Sequence, residues 1–168
     1  MRLPPGVRPE PAGPGQESVW DYPRPPRLQA SSAQVLVVLG GVVVVDTRRA
    51  LQVLETSHPP TYYLPLVDTA DGAFVAAEGT SLCEWKGQAV YLDVVGGSVV
   101  ATGAAWTYPT PSPEYADLVD HVALYPGRMD RCTVDGEPVR AQVGGFYGGW
   151  VTAAVVGPFK GGPGSAGW

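Results

Sequence analysis

Two β-branched apolar runs, residues 34–39 and 42–46, flank Gly40-Gly41 and make the clearest pattern in the chain. Both glycines can take positive φ, as a two-residue hairpin turn requires, so the segment predicts an antiparallel hairpin. Its strands are apolar on both faces and must be covered by other elements. Next, Leu51 and Leu54 follow Ala50 at helical spacing, with Arg48, Arg49, Gln52 and Glu55 on the polar side. With Asp46 or Thr47 as cap and Pro59-Pro60 as stop, this predicts a short helix over 48–55. Residues 61–66 read as a strand and 67–79 as a loop. Three strands follow as a meander, 81–86, 88–95 and 98–108. Ser112-Pro113-Glu114 opens a second short helix to about Asp120. Residues 121–125 form a further strand, and Asp135-Gly136 turns a hairpin between 132–134 and 137–141. The predicted class is mainly β, a compact antiparallel meander with two short helices and no internal repeat.

The meander permits a face assignment. Turns at Gly87-Gln88 and Gly96-Gly97 put Cys83, Trp85, Val90, Leu92, Val94, Val99 and Ala101 on one face, a core face. The other face then carries Glu84, Lys86, Tyr91, Asp93, Thr102, Trp106 and Tyr108. Charges mixed with large aromatics on one sheet face suit a ligand platform. A single-residue bulge near Gly103 would send Trp106 and Tyr108 to the opposite side.

The 168 residues suffice for one domain. Twenty-two glycines and eighteen prolines favour short strands and turns over long helices. The Pro- and Gly-rich residues 1–17 are expected to be a disordered tail, and 18–168 a single β domain. That domain opens with a Pro-rich arm, Trp20-Asp21-Tyr22-Pro23-Arg24-Pro25-Pro26, and closes in a glycine- and aromatic-rich segment, 144–168. A net charge of −5 argues against nucleic acid as a partner. The longest apolar run, 35–45, is interrupted by Gly40-Gly41 and falls well short of the ~20 residues a membrane-spanning helix needs. No secretory segment is recognised, so a reduced, cytoplasmic protein away from the membrane is expected.

Candidate chemistry is sparse. Cys83 and Cys132 are the only cysteines, and neither belongs to a Cys-x-x-Cys pair, which excludes a Cys₄ zinc site. Cys83 is read as a small buried hydrophobe ahead of a nucleophile. His58 and His121 are assigned structural roles, His58 as a cation suited to a helix C-terminus. Glu55, Glu84 and Asp93 are candidate general bases, and Arg48-Arg49 a candidate anion contact. Residues 157–165 lack the Gly-Lys-Ser/Thr ending of a phosphate loop, and 144–149 lack the strand-turn-helix setting of a dinucleotide fingerprint. No metal or other cofactor is expected.

Several stretches together resemble a known bacterial family, domain of unknown function 427, which also carries a nucleotidyltransferase label. They are residues 17–26, Asp46-Thr47-Arg48-Arg49-Ala50, residues 54–63, Cys83-Glu84-Trp85-Lys86-Gly87 and Ala105-Trp106-Thr107-Tyr108-Pro109. The resemblance spans roughly 17–168, and the glycine-rich ending resembles a longer actinobacterial-type subgroup. It implies a β-tent-like fold, similar to methionine sulfoxide reductase B and the cereblon ligand domain. The zinc those folds commonly hold in two Cys-x-x-Cys pairs does not carry over, since this chain has none. The aromatic ligand cage of that fold class points to Trp85, Trp106 and Tyr108.

The leading functional expectation is a small-molecule binding module. Tyr62, Tyr63, Trp106 and Tyr108 supply pocket walls, and Arg49, Glu55, Glu84 and Lys86 supply polar contacts. The second reading is an enzyme, a nucleotidyltransferase or a catalyst using Lys86, Glu55 or Cys83. The third is an interaction protein whose arm and glycine-aromatic segment pack on a second copy as a homodimer.

Overall fold

The computed structural model describes residues 2–168. In chain order the strands are β1 (Glu17–Ser18), β2 (Arg27–Ala30), β3 (Val35–Leu39), β4 (Val42–Thr47) and β5 (Leu51–Leu54). Then come β6 (Thr61–Pro65), β7 (Phe74–Cys83), β8 (Gly87–Gly96), β9 (Val99–Thr107) and β10 (His121–Leu124). Last are β11 (Arg131–Val134), β12 (Glu137–Pro138), β13 (Arg140–Ala141), β14 (Trp150–Val151) and β15 (Val155–Val156). Helical structure is limited to 3₁₀ turns such as Val19–Asp21 and Pro113–Leu118. The protein is mainly β.

Seven strands form one antiparallel sheet in the order β2-β5-β6-β10-β9-β8-β7, and four form another, β12-β11-β3-β4. The main core lies between them. Val35, Val37, Val44 and Val45 of the smaller sheet meet Leu64, Val94, Ala105 and Val122 of the larger. The larger sheet is buried on its other face as well. There Val53, Tyr63, Ala123 and Tyr108 pack under Tyr115 and Leu118 of the 3₁₀ turn. Alternation along β6 therefore sends Tyr62 and Tyr63 to opposite sides.

The β3–β4 hairpin turns on Gly40 and Gly41 (φ 60° and 74°), and the β11–β12 hairpin on Asp135 and Gly136 (φ 47° and 80°). Both match the sequence expectation. Residues 51–54 do not: they form β5, not the helix expected over 48–55. This strand pairs with β2 on one side and β6 on the other, matching Val53 with Leu28 and Thr61. A helix this short is marginal in isolation, and pairing along both edges satisfies the same backbone groups. The second expected helix survives only as the kinked 3₁₀ segment Pro113–Leu118. The loop expected over 67–79 ends early, since β7 begins at Phe74.

The meander corrects the expected register. Cys83 pairs with Gly87 and Ser81 with Ala89, so the first turn is Glu84-Trp85-Lys86 and not Gly87-Gln88. Cys83 thereby shares the face of Ala89, Tyr91 and Trp106, not the core face, and Trp85 leaves the strand altogether. In the second hairpin Gly96 pairs with Val99, Val94 with Ala101, and Leu92 with Ala105. Between the last two pairs β9 carries 102–104 against Asp93 alone. The excess is two residues, so alternation resumes in phase and Trp106 keeps its side of the sheet. Gly103 (φ 62°) makes this bend and donates its N–H to Asp93 Oδ1 at 2.7 Å.

Residues 2–16 have no regular structure, yet Val7 is buried with Val19, Trp20 and Tyr22. Glu10 N–H donates to Gly157 C=O at 2.8 Å, and β1 pairs in parallel with β15. In the arm, the Arg24 guanidinium bridges Glu55 (3.2 Å), the Thr56 carbonyl (3.0 Å) and Ser57 Oγ (3.3 Å). Among the described residues no helix is long and apolar enough to cross a membrane.

Candidate functional site

A cavity of about 640 Å³ opens on the face of the larger sheet that carries Tyr91, Trp106 and Tyr108. Its size lies within the range of small-molecule sites. Strand alternation supplies the floor, because residues 106 and 108 of adjoining chain point the same way as Tyr63 across the sheet. Trp106 Nε1–H donates to Tyr63 Oη at 3.3 Å, and the Trp106 and Tyr125 rings lie 4.8 Å apart. The Tyr63 and Tyr108 rings are 6.2 Å apart. Burial raises the pKa of both phenols, so each keeps its proton at neutral pH.

The tight 84–86 turn delivers Cys83 and Lys86 to the same cavity. Lys86 is 9% exposed, and its Nζ sits 5.7 Å from the centre of the Tyr108 ring. None of the ion pairs among the described residues engages its ammonium. Burial by itself disfavours the charge, but Tyr63 and Cys83 as they ionise, together with Glu55, more than offset this and hold the pKa above the ordinary lysine value. Lys86 is therefore cationic at neutral pH and no amine nucleophile. The backbone around it is fixed by its carbonyl, which accepts from Ser112 N–H at 2.9 Å.

The opposite wall comes from the glycine-aromatic segment. Tyr147 packs edge-on against His58 at 4.7 Å and against Phe146 at 4.8 Å. Gln142 Oε1 accepts from Gly149 N–H (3.1 Å), so its amide nitrogen donates to Lys160 C=O (2.7 Å) and to His58 Nδ1 (3.0 Å). This network assigns the His58 proton to Nε2, which faces Glu55 Oε2 at 3.6 Å. Burial lowers the His58 pKa to about 4. His58 is thus neutral with its one lone pair occupied, and neither a helix-end cation nor an available base.

Of the residues singled out in the sequence, Glu55, Tyr63, Glu84, Trp85, Lys86, Trp106 and Tyr108 line this cavity. Arg49 and Tyr62 do not. Arg49 is exposed and bonded to Asp68, which also accepts from Thr47 Oγ1 at 2.7 Å. Tyr62 packs at 4.8 Å from Trp150 between the sheets, and Gln52 Nε2 donates to its hydroxyl at 2.9 Å. Cys83, named above for the enzyme reading, also lines the site, whereas His58, Gln142 and Tyr147 enter it without having been nominated. The contiguous Cys83-Glu84-Trp85-Lys86-Gly87 stretch carried a signal for Cys83. Nothing in the sequence joined residues 142–148 to a strand some forty positions earlier.

Cys132 is a core residue, 2% exposed, and its thiol pKa is pushed up to about 12 by burial. Both cysteines are free. Among the described residues no three His, Cys, Asp or Glu side chains are grouped to hold a metal ion.

Fold and site together define a mainly β domain with an aromatic-walled cavity on the outer face of its larger sheet. The chain belongs to the family described as Domain of unknown function (DUF427), which matches residues 27–135. The matched stretch includes Cys83, Lys86, Trp106 and Tyr108, whereas the wall from Gln142 to Lys160 lies outside it. A comparison with curated proteins finds no match.

Proposed function

We propose that the cavity binds a small molecule with a planar ring and an anionic group, the anion resting on Lys86. The carrying observation is a nine-tenths buried lysine without a carboxylate partner, in a cavity walled by Trp106, Tyr125 and Tyr147. A charge in a cavity gains from a partner of opposite sign, so an anionic ligand complements the Lys86 ammonium. The aromatic walls contribute apolar contact and ring-to-ring packing, and the Tyr63 and Tyr108 hydroxyls add polar contacts. Glu55 is paired with Arg24 and faces His58, while Lys86 has no ion-pair partner among the described residues.

Thermal denaturation with a panel of aromatic carboxylates and their neutral amides tests this reading. A carboxylate at 100-fold its dissociation constant should add ~2.7 kcal/mol of stability, and its amide far less. Lys86→Met should remove that difference and Trp106→Ala should weaken both. A panel in which no anion stabilises the protein, or in which the best ligand ignores both substitutions, refutes it.

A further inference from the structure

We propose that Cys83 is a nucleophile for electrophiles whose reacting carbon is bonded to a carboxylate, with Lys86 seating that carboxylate. This deepens the binding reading above and rests on it.

The geometry begins with the 84–86 turn. Cys83 closes β7 opposite Gly87, so the thiol and the Lys86 side chain leave the two ends of one three-residue turn and both line the cavity. Cys83 lies close enough to hydrogen-bond the Lys86 side chain. Cys83 is half-buried within the site, unlike Cys132, which is sealed in the core. A cysteine in a cavity is commonly inert filling. What sets this one apart is its neighbour, a nine-tenths buried lysine whose ammonium has no ion-pair partner among the described residues. The Lys86 cation beside the thiol attracts a carboxylate to the spot. A carboxylate on Lys86 therefore places the carbon bonded to it next to Sγ.

The chemistry needs no further reactant when the electrophile is a 2-oxo acid. The sulfur forms a bond to the ketone carbon, the C=O π pair moves to oxygen, and that oxygen takes the proton the thiol gave up. The product is a hemithioketal, and the addition is reversible. The protonated Tyr63 and Tyr108 hydroxyls and the Lys86 ammonium are the donors in the cavity for the developing alkoxide. His58 takes no part, since its lone pair is held by Gln142.

Iodoacetate and iodoacetamide make the probe pair: both lose iodide to a thiolate, and only the first carries a carboxylate on the reacting carbon. A thiolate in water favours the neutral amide. In the native full-length protein iodoacetate should instead label Cys83 faster, by about tenfold, read from the modified peptides by mass spectrometry. Lys86→Met should restore the solution order, and Lys86→Arg should keep the inversion. Added salt should shrink the ratio in the unaltered protein, a readout that needs no variant. Cys132 should stay unlabelled throughout. Faster labelling by iodoacetamide in the unaltered protein, or the same ratio in Lys86→Met, overturns the proposal. Cys83→Ser distinguishes the two readings. If that variant still binds aromatic carboxylates while native Cys83 shows no preference, the nucleophile is lost and the binding site stands. If carboxylate binding is absent too, both fall.

Discussion

Gly148 and Trp106 compete for one volume: a β-carbon on Gly148 would run into Cη2 of the indole. The two walls of the cavity thus meet without clearance, and the position has no side chain because the ring occupies the space. Gly148→Ala must push the ring aside and strain its 3.3 Å bond to Tyr63. The overpacking should cost about 1–3 kcal/mol. Because Trp106 is only partly buried, much of the strain should emerge as ring displacement. A shift in tryptophan emission and weaker ligand binding are therefore expected, while unchanged emission would show that the wall yields elsewhere.

The buried, neutral His58 makes stability depend on acidity. Its pKa is about 4 in the folded protein against an ordinary value of 6.5, so between these values the unfolded chain binds more protons. Stability is then fully present above pH 6.5 and is lost as the pH falls toward 4. The limiting effect is on the order of 3 kcal/mol. Denaturant unfolding at pH 7.5, 5.5 and 4.0 should show this slope, and His58→Gln should flatten it. Equal slopes in the two proteins would assign the acid sensitivity to carboxylates.

The tips of two hairpins cross backbone to backbone at Gly40 and Gly96. A β-carbon on Gly96 would collide with the Leu39 carbonyl, and one on Gly40 with the Gly96 carbonyl. Backbone cannot rotate away as a side chain can, so Gly96→Ala should cost about 2 kcal/mol or more. Gly167→Ala, with open space around it, serves as the control and should be neutral in the same melts.

Two substitutions should leave ligand binding alone. Arg49 lies outside the cavity in its pair with Asp68, and Tyr62 faces the inter-sheet core. Arg49→Ala and Tyr62→Phe should retain the affinity of the unaltered protein, whereas Tyr63→Phe removes the acceptor of the Trp106 bond and should weaken it. Weaker binding in Arg49→Ala would shift the site toward the β4–β5 corner.

Turn chemistry and side-chain alternation were readable in the sequence because both are local. Gly40-Gly41 and Asp135-Gly136 accept the positive φ that a two-residue turn requires, and alternation put Tyr91, Trp106 and Tyr108 on one face. That assignment held even though β9 bends at Gly103, because the extra residues come as a pair. Leu51–Leu54 went the other way. Its apolar spacing suits a helix as well as a strand, and its hydrogen-bond partners sit at 27–30 and 61–63.

The sequence by itself determined a β-rich chain, its principal hairpins and a face of charges and aromatics. Tertiary structure alone decided that the first meander turn falls at 84–86, which moves Cys83 from the core to the side of Lys86, and that residues 142–148 close the opposite wall. The physical reason is that strand pairing is a contest among distant edges. One position of slip exchanges every side chain between two faces, and only the completed sheet with both cores filled selects the winning register.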